Sequence, residues 1–206
     1  MPHFALSELV LMVCALYGVS RIFRLPYSLP ALIGLLLLAI TAGVASARYG
    51  LSLQRELASI HGLYSSLSAS VGMILILVSF ISLKTPALLS GNRQWLTIVM
   101  VTIIFGAAAV LQFVGPLVTI ATLLAITATI AAGGALFNEG QRSLGAYAII
   151  SGLLFLWVGS MIGSRGDDLL GFLPRWHAFH LAVACWCLAV ALSFRNLSGK
   201  AHKAAA

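Results

Sequence analysis

Charged side chains are scarce in this sequence. They make up 8% of the 206 residues, whereas apolar residues make up 61%, and a soluble domain carries about 25% charged residues. Only five of the charged residues are acidic, against 12 lysines and arginines, which gives a formal net charge of +7. This composition excludes a water-soluble globular protein and predicts that a lipid bilayer surrounds most of the chain.

Cysteine is also rare. Cys14, Cys185 and Cys187 each lie within an apolar run, and no two of them have a CxxC or another zinc-type spacing. This pattern argues against a disulfide framework and against a thiolate metal site. A basic cluster with interleaved aromatic residues is missing as well, so we do not expect nucleic acid as a partner.

Seven long apolar runs are present, and each suits a transmembrane helix of about 20 residues better than a barrel strand of about 10. Glycine and proline add two local predictions. Gly115-Pro116 predicts a tight turn between two spans, and the Gly133-Gly134 end of the fifth span predicts the close approach of a neighbouring backbone. The sequence therefore predicts an all-α integral membrane protein with one domain, a bundle of seven transmembrane helices. The spans are about 4–19, 28–47, 57–83, 95–113, 117–137, 144–162 and 176–194, followed by a polar tail at 195–206.

The distribution of basic residues predicts the orientation. With seven spans, four of the 12 basic residues fall on the N-terminal side and eight on the other side. Because basic residues concentrate in cytoplasmic loops, the N-terminus is expected outside and the C-terminus in the cytoplasm. We expect a multi-pass protein of a bacterial inner membrane, with membrane lipids as partners. A homo-oligomer or a larger membrane complex is compatible with the sequence.

Four ionisable residues lie about one helical turn inside the predicted spans. They are Glu8, His61, His177 and His180, and the predicted topology brings all four to the membrane from the same, outer side. An ionisable side chain inside a membrane span is a functional candidate by default, since it is kept at a free-energy cost of a few kcal/mol.

The three histidines match the ligand set of a zinc site. His177 and His180 are three residues apart, so they share one helix face, about 5 to 6 Å apart at Cβ. With His61 as a third nitrogen ligand, one coordination position stays open for water, as in catalytic zinc sites. The alternative is that His177 is solvated at a helix start and that His61 and His180 form interhelical hydrogen bonds.

Three further side chains are candidates for catalysis beside such a metal. Asp167 and Asp168 precede the seventh span, so either can orient a ligand histidine or accept a proton from the metal-bound water. Ser65 lies one turn after His61 and can hold a substrate carbonyl or that water. The alternatives are a solvated acidic loop and a polar helix-packing stripe.

Seven spans, a histidine early in the chain and a histidine pair opening the last span resemble the CREST superfamily, which includes the alkaline ceramidases and the progestin and adipoQ receptors. The resemblance implies a zinc ion held by three histidines, supported by an acidic residue and a serine, that hydrolyses lipid amides. His180 is similar to a last-helix ligand of that family, His177 to its partner and His61 to the early histidine. The family's last-helix pair is usually four residues apart, whereas this pair is three apart.

The sequence thus predicts a zinc-dependent membrane hydrolase that acts on a lipid amide or ester. Two alternatives stay open. In one, His61 and His180 or His177 ligate a haem axially in an electron-transfer membrane subunit, without covalent attachment because no CxxCH motif is present. In the other, the protein is a non-catalytic membrane subunit or a small transporter.

Overall fold

The computed structural model describes residues 3–161, 168–169 and 173–205 as a bundle of seven helices, each long and apolar enough to cross a membrane. A 3₁₀ turn precedes the fourth helix, and two short antiparallel strands precede the seventh. The predicted all-α bundle with seven helices long and apolar enough to cross a membrane is therefore confirmed. The elements are α1 Phe4–Ile22, α2 Leu29–Gly50, α3 Ala58–Ser82, the 3₁₀ turn Pro86–Leu89, α4 Arg93–Val110, α5 Val114–Asn138, α6 Arg142–Ser160, β1 Asp168–Leu169, β2 Leu173–Pro174 and α7 Arg175–Ala205.

The predicted turn at Gly115-Pro116 is wrong. Both residues lie in the first turn of α5, and the chain reverses just before it, at Gln112, whose φ is +55°. Proline suits a first helical turn because the amide hydrogens there have no partner inside the helix. At the other end of the chain, α7 continues beyond the predicted span and through the tail as far as Ala205.

Helix α7 is the most buried helix, and α4 is the least buried. Helices α1, α2, α3, α5 and α6 pack side by side in that order, and α7 packs against α1, α5 and α6. The largest fully buried side chain, Trp186 of α7, donates a hydrogen bond to Thr129 Oγ1 of α5 over 3.1 Å. Tyr147 of α6 donates to the Cys185 carbonyl over 2.9 Å. The polar atoms of these large side chains are therefore satisfied inside the bundle.

Glycines allow two helix pairs to approach closely. A Cβ atom built on Gly133 of α5 would lie 2.8 Å from the carbonyl oxygen of Gly145 in α6, which confirms the predicted close approach. A Cβ atom on Gly34 of α2 would lie 2.6 Å from the carbonyl oxygen of Gly72 in α3. Gly72 ends a π-helical turn, Ser68–Gly72, that interrupts the α-helical geometry of α3. Backbone contact, rather than side-chain interdigitation, thus sets the spacing of these helices.

Substitution of the two adjacent glycines of α5 tests this packing. We expect Gly133→Ala to destabilise the protein by roughly 1–3 kcal/mol, because its Cβ atom overlaps the α6 backbone. Gly134→Ala is the matched control, since no atom lies within 4 Å of its Cβ position, and we expect a change within about 1 kcal/mol, on the stabilising side. Thermal unfolding of the purified variants in detergent measures both. Equal effects of the two substitutions would contradict the proposed contact.

Candidate functional site

The candidate residues gather at the end of the bundle where α1, α3 and α7 begin and α2 ends, which we call the N-terminal end. Phe4 of α1 contacts both Tyr49 of α2 and Trp176 of α7, with ring centroids 5.9 and 6.0 Å apart. Ser46 of α2 donates a hydrogen bond to the Ala5 carbonyl of α1 over 3.2 Å. The structure therefore confirms that Glu8, His61, His177 and His180 enter the bundle from one end.

The most buried of these groups form a pair between α1 and α7. Glu8 is 2% exposed and His180 is 6% exposed. Oε1 of Glu8 lies 3.0 Å from Nε2 of His180, which is the distance of an ion pair, and Oε1 makes no aligned hydrogen bond among the described residues. On its other side, the His180 ring places Nδ1 2.7 Å from the carbonyl oxygen of Trp176. Both ring nitrogens of His180 are thus engaged by groups of the protein.

These two contacts determine how many protons the pair holds. A carbonyl oxygen can only accept, so Nδ1 of His180 carries a hydrogen and donates it to Trp176. At 3.0 Å, a carboxylate oxygen and an unprotonated Nε2 would repel each other, so the contact is favourable only with a proton on one of the two groups. The pair is therefore either a carboxylate beside an imidazolium or a carboxylic acid beside a neutral imidazole. Both forms have no net charge, which suits burial in an apolar bundle.

His177 is held one helical turn nearer to the surface. Its Nδ1 lies 2.9 Å from Oγ of Ser7, and the Ser7 hydroxyl donates to the Phe4 carbonyl over 3.2 Å. Since a hydroxyl has one proton, both contacts hold together only if Nδ1 of His177 carries the proton and donates it to Ser7. Neighbouring residues of α1, Ser7 and Glu8, thus each bind one histidine of α7.

Aromatic rings cover the pair from the N-terminal end. Phe4, Tyr49 and Trp176 form a triangle in edge-to-face contact, and the Tyr49 and Trp176 centroids lie 6.1 Å apart. Trp176 also packs against the His180 ring at 4.6 Å, and Phe179 meets that ring edge-on at 5.3 Å. This cover excludes water from the pair and strengthens its electrostatic interaction.

The pair rests on an apolar layer deeper in the bundle. Leu11 and Ala15 of α1 and Val183, Ala184 and Cys187 of α7 are all buried within one cluster of the core. At this end of the α1–α7 contact, the polar side chains thus reach inward as far as the pair, and apolar side chains follow.

His61 has a different partner. Its Nδ1 lies 3.2 Å from NH1 of Arg48 in α2, and Nε of Arg48 donates to the Gln54 carbonyl over 3.0 Å. Because a guanidinium can only donate, Nδ1 of His61 is the acceptor and carries no hydrogen. A guanidinium at this distance opposes the approach of a metal cation to the same nitrogen.

The predicted catalytic residues do not join this pair in the described part of the chain. Asp168 is exposed in strand β1, where it pairs with Pro174 of β2. Ser65 is half-buried in α3, and its carbonyl accepts a hydrogen bond from Ser68. Asp167 lies outside the described residues.

The predicted metal ligands are brought together only in part. His177 and His180 lie at the contact between α1 and α7, whereas His61 lies at the contact between α2 and α3. Among residues 3–161, 168–169 and 173–205, no three histidine, cysteine or acidic side chains are placed to hold a metal ion. The helices bring a carboxyl group and an imidazole together, and Glu8 lies beside Nε2 of His180, a residue that the sequence predicted as a zinc ligand.

The sequence contained a signal for this pair. Glu8 lies about one turn into α1 and His180 about one turn into α7, and odd-numbered spans run in the same direction. Equal depth in two parallel helices makes a contact feasible, but the order of helices in the bundle decides whether it forms. Arg48 gave no comparable signal, because the sequence places it beyond the end of a span, where basic residues are common.

Comparison with known proteins assigns neither a family nor a function to this chain. No protein-family model, no curated protein and no solved structure matches this chain. The resemblance to the CREST superfamily is therefore neither supported nor contradicted by relatives.

The two kinds of histidine contact predict opposite tautomers. We expect His180 to carry a hydrogen on Nδ1, because Nδ1 donates to Trp176, whereas neutral His61 should carry its hydrogen on Nε2. Nitrogen-15 NMR of histidine-labelled protein measures this, with His180→Gln and His61→Gln assigning the signals. The same tautomer at both positions would contradict the contacts described above.

Proposed function

We propose that this protein is a proton-coupled membrane carrier in which Glu8 and His180 together form the proton-binding unit. The observation that carries the proposal is the 3.0 Å contact between Oε1 of Glu8 and Nε2 of His180 in a buried position. The pair exchanges one proton between a carboxylate and an imidazole, which are the groups that form proton relays in transporters.

The energetics of burial favour a functional role over a structural one. A buried ion pair adds little stability compared with apolar residues of similar size, since desolvation offsets the attraction between its charges. Leucine and alanine fill the neighbouring positions of the same contact, for example Leu11 and Ala15. The bundle therefore does not need an ionisable pair to hold α1 against α7 at this depth.

A series of histidines leads from the surface to the pair. His3 is exposed, and its ring centroid lies 5.6 Å from that of the half-buried His177. His177 lies one turn before His180 on the same helix, and Ser7 connects it to α1. Protons can thus reach the pair from the N-terminal end through imidazole groups, which both donate and accept protons. Two guanidinium groups lie at the same end of the bundle: that of Arg48 is engaged by His61 and Gln54, and that of Arg175 donates to the Met161 carbonyl over 3.3 Å.

The apolar layer below the pair favours a carrier over a channel. A channel needs a continuous polar path, whereas Val183, Ala184 and Cys187 follow His180 along the contact. A carrier opens its site to one side at a time. Small residues at the contact between α1 and α7 suit such a movement. Gly18 and Ala191 face each other there, and a Cβ atom built on Gly18 would lie 3.3 Å from Cβ of Ala191.

We also propose the orientation that the basic residues predict, with the N-terminal end of the bundle outside and the C-terminus in the cytoplasm of a bacterial inner membrane. In this orientation, the proton-binding unit faces the side from which protons enter the cell.

The zinc-dependent lipid hydrolase and the haem subunit stay hypotheses. Either one requires His61 to leave Arg48, and ligation by His180 requires that residue to give up its contact with Glu8 or with Trp176. Metal analysis and an absorption spectrum of the purified protein distinguish the three functions. One zinc per chain favours the hydrolase, and a Soret band favours haem.

Charge movement after a pH jump tests the carrier. Proteoliposomes adsorbed on a solid-supported membrane should give a transient current when the external pH is lowered, because the pair takes up protons inside the bundle. We expect Glu8→Gln to abolish this current, since an amide cannot exchange the proton, and Glu8→Asp to retain part of it.

Glu56→Gln is the matched control, because Glu56 is an exposed loop residue that loses a carboxylate of the same type. Thermal unfolding of each variant shows whether the bundle is intact. A current that survives Glu8→Gln, or that Glu56→Gln removes equally, would overturn the proposal.

A further inference from the structure

A cleft lies at the other end of the bundle, where α3, α5 and α7 come together. Its volume is about 500 Å³, within the range of roughly 300–1,000 Å³ that is typical of ligand sites. The residues that line it belong to the second half of α3, the second half of α5 and the last turns of α7. It is thus far along the helices from Glu8 and His180, and the inference drawn from it does not rest on the proposed function.

The walls of the cleft are apolar and smooth. Four alanines of α5 line it at helical spacing, among them Ala131 and Ala132, and Phe80 of α3 forms part of the opposite wall. Phe80 and Ala132 are each 8% exposed, whereas Ile81 is 46% exposed and Ala131 is exposed as well. The cleft therefore has a buried floor and opens sideways between α3 and α5, toward the surface that a membrane protein presents to acyl chains.

Two side chains of opposite charge line the same cleft. Lys84 lies two residues beyond the end of α3 at Ser82, and Glu139 directly follows the end of α5 at Asn138. Both charges are thus at the depth of the lipid headgroups if the helices span a bilayer, while the alanines lie at the depth of the acyl chains.

We propose that this cleft binds one phospholipid whose headgroup carries a phosphate and a primary amine, as in phosphatidylethanolamine. An acyl chain lies along the alanines, the phosphate contacts the ammonium of Lys84, and the amine contacts the carboxylate of Glu139. The combination of one cation and one anion is complementary to a zwitterionic headgroup and not to an anionic one. The apolar walls do not suit free inorganic phosphate or a polar metabolite.

Lipid retention measured by native mass spectrometry tests this site. The full chain is delipidated in detergent and mixed with equal amounts of phosphatidylethanolamine, phosphatidylcholine and phosphatidylglycerol that have the same acyl chains. We expect one phosphatidylethanolamine per chain, preferred roughly fivefold over the other two lipids, as for an exposed ion contact. Phosphatidylcholine isolates the contribution of the amine, because its quaternary nitrogen cannot donate a hydrogen bond to Glu139.

Variants separate the two parts of the site. Lys84→Gln and Glu139→Gln should remove the headgroup preference, with Arg142→Gln as the control for an exposed charge outside the cleft. Ala131→Phe should fill the opening and reduce the retention of all three lipids, whereas Ala109→Phe, at an exposed alanine of α4, should not. Equal retention of the three lipids by the natural protein, a preference that survives both charge substitutions, or unchanged retention in Ala131→Phe would overturn the proposal.

Discussion

The N-terminal end of this bundle is organised around one buried carboxylate beside one imidazole. Nε2 of His180 faces Oε1 of Glu8, while Nδ1 on the far side of the ring donates to the Trp176 carbonyl. A charged group without this partner would be destabilised in an apolar bundle. The aromatic cover and the second histidine contact, at Ser7, surround this pairing.

The same constraint explains why two similar histidines have different chemistry. His180 meets acceptors on both sides, so its ring can hold a proton on each nitrogen. His61 meets the guanidinium of Arg48, a donor that favours an unprotonated Nδ1. At one end of the bundle, the imidazole of His180 thus donates a hydrogen bond through Nδ1, and that of His61 accepts one through Nδ1. Their different partners, and not their depth in the helices, decide these roles.

The two ends of the bundle also differ in their polar groups. At the N-terminal end, Glu8 and His180 are buried, paired and covered by rings. At the opposite end, Lys84 and Glu139 are exposed at the mouth of an alanine-lined cleft. Charges at the ends of helices remain solvated at little cost, at the depth of the lipid headgroups if the helices span a bilayer. A buried charge needs a partner within the protein, and Glu8 and His180 supply this partner for each other.

Hydropathy alone determined the helical class, the seven long helices and the presence of four ionisable residues at one end, since a bilayer demands long apolar helices and excludes charge. Small residues also predicted the close approach at Gly133, because it needs no side chain. Only the tertiary structure decided that His180 meets Glu8 and that His61 meets Arg48. Spacing along the chain fixes the depth and face of a side chain within its own helix, but the order and rotation of the packed helices choose its partner.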